Sequence, residues 1–221
     1  MTTGLRERRK QATRQAISDV ATRMFAARGF DAVTIADVAA AAGVAKMTVT
    51  NYFPRKEDLV FDRAEAVIRS LADVITAREH GESLLAAIRR DYAERVSRAD
   101  PTIGLSSPDF ARMIEASPAL ASRGLEMLHQ RERALGDAIA AEAGTDGPQQ
   151  RLAAALLSSV HRVLYAEGTR RSLAAEPREQ TCAALGDAAR QAFDLLEPAL
   201  GGYLVRALCE GDDRPALTER Y

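Results

Sequence analysis

The segment from residue 34 to residue 56 limits what this chain can fold into more than any other part of the sequence. From Ile35 onward, apolar residues recur three and four positions apart, which is the spacing of one face of a helix. Thr34 stands just before that face, where its hydroxyl is suited to accept a backbone N–H as an N-cap. Gly43 follows the face, and glycine adopts the left-handed conformation of a helix stop at little cost. The pattern predicts a short helix that ends at a sharp turn.

A second short helix is expected directly after this turn, over about residues 45–52, because Pro54 then prevents it from continuing. Helix, glycine turn and helix form the helix-turn-helix arrangement, in which the second helix enters the major groove of DNA. The first turn of that helix points at the edges of the bases, and Lys46 and Met47 occupy it. Asn51 adds a side chain that can pair with adenine through two hydrogen bonds.

The same segment resembles a known protein family. Residues 34–44 read T-I-x-x-V-A-x-x-A-G-V, and residues 48–59 read T-V-x-N-Y-F-x-x-K-E-D-L. In order and spacing these positions resemble the DNA-binding domain of the tetracycline-repressor (TetR) family of bacterial regulators, over about residues 6–70. Two positions depart from the family pattern, since Ala45 stands where Ser is common and Thr50 stands where Tyr is usual. The contact that Thr50 makes in the groove is therefore expected to differ.

Taken with the motif, the resemblance implies a set of DNA-contacting residues. Tyr52 and Lys56 match positions that contact the phosphate backbone in the family. Lys56 is also expected at the N-terminus of the next helix, where a phosphate would meet free backbone N–H groups. The predicted DNA-binding residues are Thr34, Lys46, Met47, Thr48, Thr50, Asn51, Tyr52 and Lys56. The alternative for Thr48, Thr50 and Asn51 is that they are solvated surface residues.

The charge distribution agrees with DNA contact near the N-terminal end. Residues 1–60 contain ten Lys or Arg and six Asp or Glu, a net charge of +4, whereas the rest of the chain carries −5. A basic head on an acidic body suits a protein with one nucleic-acid-binding part, although chance asymmetry would look the same. Residues 6–10 hold four basic side chains, which form either an arm on the DNA or a frayed, solvated terminus.

Helical periodicity runs through the whole chain, and no segment alternates as a strand would. The sequence therefore predicts an all-α protein of about nine helices, with an N-terminal three-helix helix-turn-helix domain and a larger C-terminal helical bundle. Prolines and glycines indicate where the helices begin and end. Helices are expected at residues 5–28, 34–42, 45–52, 56–78, 82–99, from 108, 118–143, 149–173 and 177–196, with Pro198 interrupting the last.

The helix expected from Lys56 to Arg78 would connect two parts of the molecule. Its first residues lie beside the helix-turn-helix, and its last residues enter the C-terminal bundle. We therefore predict a DNA-binding domain over residues 1–55, a connecting helix over 56–80, and a ligand-binding and dimerisation domain over 81–221. This helix is expected to be the mechanical link between the two domains.

Composition and cysteine usage favour a cytoplasmic protein. The sequence contains no run of 18 apolar residues, so no membrane span is expected. The basic N-terminus lacks the apolar segment of a signal peptide. Cys182 and Cys209 are the only cysteines, and their spacing does not match a CxxC motif, which favours a reducing compartment.

Catalytic and metal-binding motifs are scarce. Glu126 and His129 form an E-x-x-H pair, which is half of a di-iron carboxylate motif, but no second copy exists. An ordinary pair on a helix surface is the simpler interpretation. Glycine-rich phosphate loops, G-x-S-x-G elbows and zinc-ligand clusters are also missing from the sequence. We therefore expect neither an enzyme nor a bound metal or cofactor.

The resemblance further implies a pocket for a small-molecule effector in the bundle, and a homodimer formed by the last two long helices. Candidate pocket residues combine apolar bulk with a few polar groups, as ligand sites usually do. They are Tyr92, Phe110, Met113, Met127, His129, His161, Arg162 and Tyr165. Each of them could equally be an ordinary core or surface residue.

The sequence thus predicts a DNA-binding transcriptional regulator, specifically a repressor that a small-molecule effector releases from a palindromic operator. Two alternatives remain open at this stage. One is a DNA-binding regulator that has no small-molecule effector. The other, from a different class, is a helical enzyme whose N-terminal motif is structural.

Overall fold

The computed structural model describes residues 3–207, with the side chains described from residue 7 onward. Within that range the chain forms nine α-helices and no strand, which confirms the predicted all-α class. The helices are α1 Thr3–Arg28, α2 Ile35–Ala41, α3 Lys46–Tyr52, α4 Ala64–Thr76, α5 Leu84–Ser97, α6 Pro108–Ala116, α7 Pro118–Ala143, α8 Pro148–Leu173 and α9 Arg178–Leu200. Cys209 lies outside the described residues.

The helix-turn-helix forms where the sequence pattern predicted it. The Thr34 hydroxyl accepts the backbone N–H of Asp37 at 3.1 Å, and the Asp37 carboxylate accepts the backbone N–H of Thr34 at 2.8 Å. This reciprocal pair is a capping box, and it satisfies two of the backbone donors at the start of α2 that have no partner within the helix. Gly43 ends the turn with a φ of +66°, so the left-handed conformation expected of it is confirmed.

A first apolar core joins the three N-terminal helices. The rings of Phe25 and Phe30 lie 5.0 Å apart at its centre. Its buried residues are Ile17, Ala21, Phe25, Phe30, Val33, Val38, Ala39, Val49, Phe53, Leu59 and Leu120. Leu120 comes from α7, far along the chain, so this core includes a residue from the C-terminal bundle.

A second apolar core lies among α4, α5, α7, α8 and α9. It is larger, and aliphatic side chains make up most of it. Its principal residues are Leu71, Ile75, Leu84, Leu85, Ile88, Tyr92, Leu135, Ile139, Leu157, Leu164, Leu185, Phe193 and Leu200. Helices α4 and α7 pack against each other, as do α7 and α8, α5 and α9, and α8 and α9.

The prediction of one helix from Lys56 to Arg78 was wrong. A short 3-10 turn occupies Glu57–Leu59, and α4 begins only at Ala64. The Asp58 carboxylate accepts the backbone N–H of Arg55 at 3.2 Å, which holds the chain in this turn. The break has a packing reason, because Leu59 is buried in the first core whereas Leu71 of α4 faces the second.

The prediction that Pro198 interrupts the last helix was also wrong, because α9 continues to Leu200. Proline at position 198 removes the N–H that would bond the carbonyl of Asp194, a cost to the helix that the packing of the last turn offsets. Leu200 is buried in the second core. Glu197 pairs with Arg89 at 2.9 Å and its carbonyl accepts the N–H of Gly201, so residues on both sides of Pro198 hold the turn in place.

Arg78 is a buried residue that the sequence did not single out. Its guanidinium donates to the backbone carbonyls of Ile75, Glu82 and Leu204, at 2.5, 3.1 and 2.8 Å. It also pairs with the Glu142 carboxylate at the end of α7. One side chain therefore ties the end of α4 to α7 and to the turn that follows α9.

Candidate functional site

Helix α3 presents one face to the core and leaves the other free. Val49 is fully buried against the first core. Lys46, Met47 and Asn51 are exposed, and the side chain of Met47 retains 69% of its accessible surface. Three of the predicted DNA contacts therefore lie on the open face of α3, the face that would enter a major groove in a helix-turn-helix.

A concave surface of about 720 Å³ lies beside this face, between α1 and α3. Its basic residues are Arg9 and Lys10 from α1, and its residues from α3 include Thr48 and Asn51. The basic N-terminal residues continue α1 as regular helix in this structure rather than leaving it as a separate extended arm. They place positive charge next to the groove-facing side chains, where a phosphate backbone would pass.

The hydroxyls of two of the predicted DNA contacts form hydrogen bonds within the protein's own helices, at the surface. Thr34 forms the cap of α2, and its backbone N–H and hydroxyl hold the pKa of Asp37 below its usual value. Thr50 donates to the backbone carbonyl of Met47 at 3.1 Å, one turn earlier in α3. A threonine hydroxyl bonded to its own helix projects less than the tyrosine that is usual at this position.

Tyr52 and Lys56 lie at the C-terminal end of α3 and just beyond it. Both are half-buried, and the Lys56 ammonium stands 4.1 Å from the ring centroid of Phe30. Lys56 was predicted at the N-terminus of a long helix, and this is wrong, because only a three-residue 3-10 turn follows it. Its cation is held over an aromatic face instead.

Arg14 positions the C-terminal end of α3, which we call the recognition helix. The sequence pattern did not predict this role of Arg14. Its guanidinium donates to the carbonyls of Tyr52 and Asp62, at 2.6 and 2.9 Å, and lies 4.3 Å from the ring centroid of Phe53. It thus fixes the exit of α3 against α1. Its place in the sequence offered a signal, because it lies three residues before buried Ile17 on the same face of α1.

A second connection joins the DNA-binding head to the bundle, through α7. Arg123 pairs with Asp58 at 3.0 Å and with Glu126 at 3.2 Å, and Glu126 pairs with Arg55 at 2.5 Å. Arg55 and Asp58 follow the recognition helix directly. The expectation that α4 is the one link between the two parts is therefore wrong. We call these four residues the α7–head network.

The same network explains the E-x-x-H pair. Glu126 forms ion pairs with Arg55 and Arg123. These two arginines lower the pKa of its carboxyl, chiefly through the hydrogen bond from Arg55. His129 is exposed on the surface of α7. Among residues 3–207, no three His, Cys, Asp or Glu side chains are grouped so as to hold a metal ion.

The eight predicted pocket residues do not form one pocket. Tyr92, Met127 and His161 are buried, and the rings of Tyr92 and His161 meet edge to face at 5.4 Å. Tyr165 is half-buried on the same side of α8. The others lie elsewhere: His129 and Arg162 are exposed, Phe110 is half-buried on α6, and Met113 packs against the first core.

A surface groove of about 770 Å³ lies instead between the end of α5 and the start of α9. Val96, Cys182 and Gly186 are among the residues that line it. None of the eight predicted pocket residues lines this groove.

In the part of the chain that the structure describes, no helix has both the length and the apolar character needed to cross a membrane.

The fold and this surface define a helix-turn-helix DNA-binding protein. Residues 17–62, which run from α1 to the turn before α4, match the family described as "Bacterial regulatory proteins, tetR family". The regulator TcmR of Streptomyces glaucescens is 26% identical over 205 residues, covering 89% of this chain and 88% of TcmR. Residues 17–62 therefore carry a DNA-binding domain of the tetR-family type, and over most of its length the chain is similar to a transcriptional regulator.

Solved structures share the overall fold. GusR of Salmonella enterica aligns with a TM-score of 0.52 and 19% identity, over 86% of this chain and 96% of GusR. SmeT, in a complex with triclosan, aligns with a TM-score of 0.52 and 16% identity, over 85% of this chain and 91% of SmeT. At these identities the likeness concerns the fold alone.

Asn51→Ala and Lys56→Ala are expected to affect DNA binding in different ways. Removal of a base-reading side chain at Asn51 should cost roughly 1–3 kcal/mol on the operator and little on random DNA. Removal of the Lys56 ammonium should weaken binding to all DNA alike and lower the salt slope by about one unit for each phosphate that is no longer neutralised. Titration of both variants on operator and scrambled DNA, at several salt concentrations, measures the difference.

An equal loss of affinity on both DNAs for Asn51→Ala would show that Asn51 contacts phosphate rather than a base. An unchanged salt slope for Lys56→Ala would show that Lys56 serves only to pack against Phe30. Arg69→Ala is the matched control, because Arg69 is an exposed cation on α4, away from α3.

Proposed function

We propose that this protein is a cytoplasmic homodimeric repressor that binds a palindromic operator and is released from it by a small-molecule effector. Residues 1–55 form the DNA-binding domain, and residues 81–221 form the domain that binds the effector and the second protomer. Residues 56–80 connect these two domains. The observation that carries the proposal is the open face of α3 beside the basic end of α1. The chain acts as a regulator and not as an enzyme.

Exposed apolar side chains on the last two helices support the homodimer. Leu152 and Val163 of α8 keep 59% and 57% of their accessible surface, and Leu195 of α9 keeps 81%. Leu152 and Val163 are eleven residues apart, about three helical turns, so they share one face of α8. Helices α8 and α9 pack together, and a second copy that covers both would bury these residues.

A dimer sets the form of the operator. One recognition helix buries too little surface for tight, specific binding, and two-fold symmetry doubles the contact. The half-sites should then lie about one helical turn apart, roughly 34 Å, or more. Selection of bound DNA from a random pool by the full chain should yield an inverted repeat. Recovery of single half-sites, or of no preferred sequence, would contradict the proposal.

The α7–head network supports control from the bundle. A ligand that favours one position of α7 or α4 would change the position of α3 relative to α3 of the second protomer. The ligand can do this only if it binds one of the two conformations more tightly than the other. The fold can hold a small molecule, since SmeT was solved with triclosan. Insensitivity of DNA binding to every small molecule would instead favour a regulator without an effector.

Arg123→Met is expected to uncouple the two sites while leaving both in place. It removes the cation that joins Asp58 to Glu126, both of which lie away from the open face of α3. Affinity for the operator should change by less than about threefold, while the effector's influence on it should fall by about tenfold, within the usual range of allosteric coupling. Fluorescence anisotropy of labelled operator, with and without effector, measures both.

The control for this variant is Arg112→Met, which removes an exposed arginine of α6 that pairs only within its own helix, with Asp109. It should leave the effector response unchanged. Full effector response in Arg123→Met would mean that α4 carries the coupling without the α7–head network.

A further inference from the structure

The interior of the bundle contains a cluster of polar groups without partners. Among the described residues, five buried side-chain nitrogen or oxygen atoms have no hydrogen-bond partner, and all five belong to Tyr92, Arg131, Ser158 and His161. These residues come from α5, α7 and α8, and Ser158 and His161 lie one turn apart on α8. Buried polar groups are normally paired, so five lacking partners in one place need an explanation.

Arg131 carries a charge that the described part of the protein does not balance. Its side chain is buried, with 4% of the residue's surface exposed, and its Nε and Nη2 atoms have no acceptor. No acidic side chain of residues 3–207 forms an ion pair with it. Burial lowers the pKa of Arg131 to about 10, and the positive charge of Arg95 contributes to the same shift. At neutral pH the guanidinium is therefore still charged.

The neighbouring Arg95 shows the usual arrangement by contrast. Its guanidinium pairs with Asp91 at 2.6 Å and donates to the Thr102 hydroxyl at 3.0 Å. Arg95 thus has a carboxylate and Arg131 has none, although both are close enough to lower the pKa of His161. The pKa of His161 lies well below its ordinary value, chiefly because of burial, so the imidazole is neutral and adds no second positive charge beside Arg131.

The surroundings of the cluster are aromatic and aliphatic. The Tyr92 ring contacts His161 on one side, and the Phe193 ring on another at a centroid distance of 6.1 Å. Desolvation raises the pKa of the Tyr92 hydroxyl, which is therefore a neutral donor. A buried cation, two hydroxyls and a neutral imidazole beside apolar rings suit a ligand with one anionic end and an apolar body.

We propose that Tyr92, Arg131, Ser158 and His161 bind the carboxylate of an amphipathic organic acid, and that this acid is the effector. The inference rests on the proposed function and names the chemical class of its ligand. The carboxylate accepts hydrogen bonds from the Arg131 guanidinium and from the hydroxyls of Tyr92 and Ser158. Its apolar part lies against the second core, near Phe193.

The position of Arg131 connects this site to DNA binding. Arg131 lies on α7, eight residues after Arg123 and five after Glu126, so the same helix carries the ligand's counter-ion and the α7–head network. An acid that binds Arg131 more tightly in one position of α7 than in another would favour that position. Ligand and DNA are then linked through α7.

The test begins without ligand, by thermal denaturation of Arg131→Met and of Arg133→Met. Methionine has a similar length and no charge, and Arg133 is an exposed arginine on the same helix. If the Arg131 site is empty and unbalanced, Arg131→Met should raise Tm, because an unpaired buried charge destabilises. Arg133→Met should leave Tm unchanged. A lower Tm for Arg131→Met would mean that Arg131 is a structural residue with an internal partner, and would overturn the proposal.

The second arm uses benzoate, phenylacetate, octanoate and decanoate, each beside its uncharged amide, with sodium chloride as the ionic control. At least one acid should bind wild-type protein in calorimetry while its amide does not. Arg131→Met should weaken that binding by about 30-fold or more, Arg131→Lys should weaken it less, and Arg133→Met should have no effect. Equal binding of acid and amide, retention of binding in Arg131→Met, or no binding of any acid would each contradict the proposal.

A third measurement separates this inference from the proposed function. Release of operator DNA is followed with the same acids and with uncharged compounds. Release by an uncharged compound alone would leave the repressor mechanism standing and refute the anionic site. An acid that binds at Arg131 without altering DNA affinity would confirm the site and refute its role as the effector site.

Discussion

The double substitution Leu152→Glu, Leu195→Glu is expected to convert the protein to a monomer and to weaken operator binding by at least about 100-fold, the gain that linking two binding modules ordinarily provides. Both leucines are exposed in the isolated chain, with 59% and 81% of their surface accessible. The monomer should therefore fold normally, because neither side chain contributes to the core. In a dimer, each glutamate would place a charge in an apolar interface, and each occurs twice by symmetry.

Light scattering measures the mass of this variant, and anisotropy on the selected operator measures its affinity. Leu125→Glu is the matched control, because Leu125 is 67% exposed but lies on α7 rather than on α8 or α9. The control should remain dimeric and bind normally. A dimeric double variant would place the interface on another face, and a monomer that still binds the operator tightly would refute the dimeric mode of DNA binding.

Arg78→Ala is expected to lower the free energy of unfolding by about 3–5 kcal/mol, the range for removing one partner of a buried ion pair. The side chain is 1% exposed, whereas Glu142 keeps 32% of its surface. Most of the loss therefore comes from three backbone carbonyls, those of Ile75, Glu82 and Leu204, which would lose their donor. Glu142→Gln should cost less, because its amide oxygen can still accept one hydrogen bond from Arg78.

Urea denaturation followed by circular dichroism measures both changes. Arg69→Ala serves as the control, since the Arg69–Asp73 pair is exposed on both sides and surface pairs contribute little. A loss of stability for Arg78→Ala no larger than that for Arg69→Ala would mean that water replaces the guanidinium, and that the junction of α4, α7 and the last turn is solvated.

The helix-turn-helix could be predicted because its signals are local. The cap at Thr34 and the left-handed turn at Gly43 each depend on residues within four positions along the chain, and both are present in the structure. The later helix boundaries were close for the same reason, since a proline or glycine restricts the backbone wherever the rest of the chain lies. The errors at Leu59 and Pro198 arose where distant packing outweighs local preference.

The residues of the candidate site also fall into two groups, those that local sequence signals predict and those that depend on distant contacts. The exposed face of α3 follows from helical periodicity, because a buried Val49 leaves its opposite side free. Arg14, whose guanidinium holds the end of α3, gave only a weak signal, because its partners lie 38 and 48 residues away. The pocket prediction chose residues by type, and type does not distinguish buried His161 from exposed His129.

By itself the sequence determined the helical class, the DNA-binding motif and the residues on its open face, since these depend on hydrogen bonds and spacings within one or two helical turns. Only the tertiary structure decided which charges lack partners and which helices touch the head. Arg95 and Arg131 look alike in the sequence, yet one meets Asp91 and the other meets no carboxylate among the described residues. Electrostatic balance depends on distances across helices, and those are set when α5, α7 and α8 pack together.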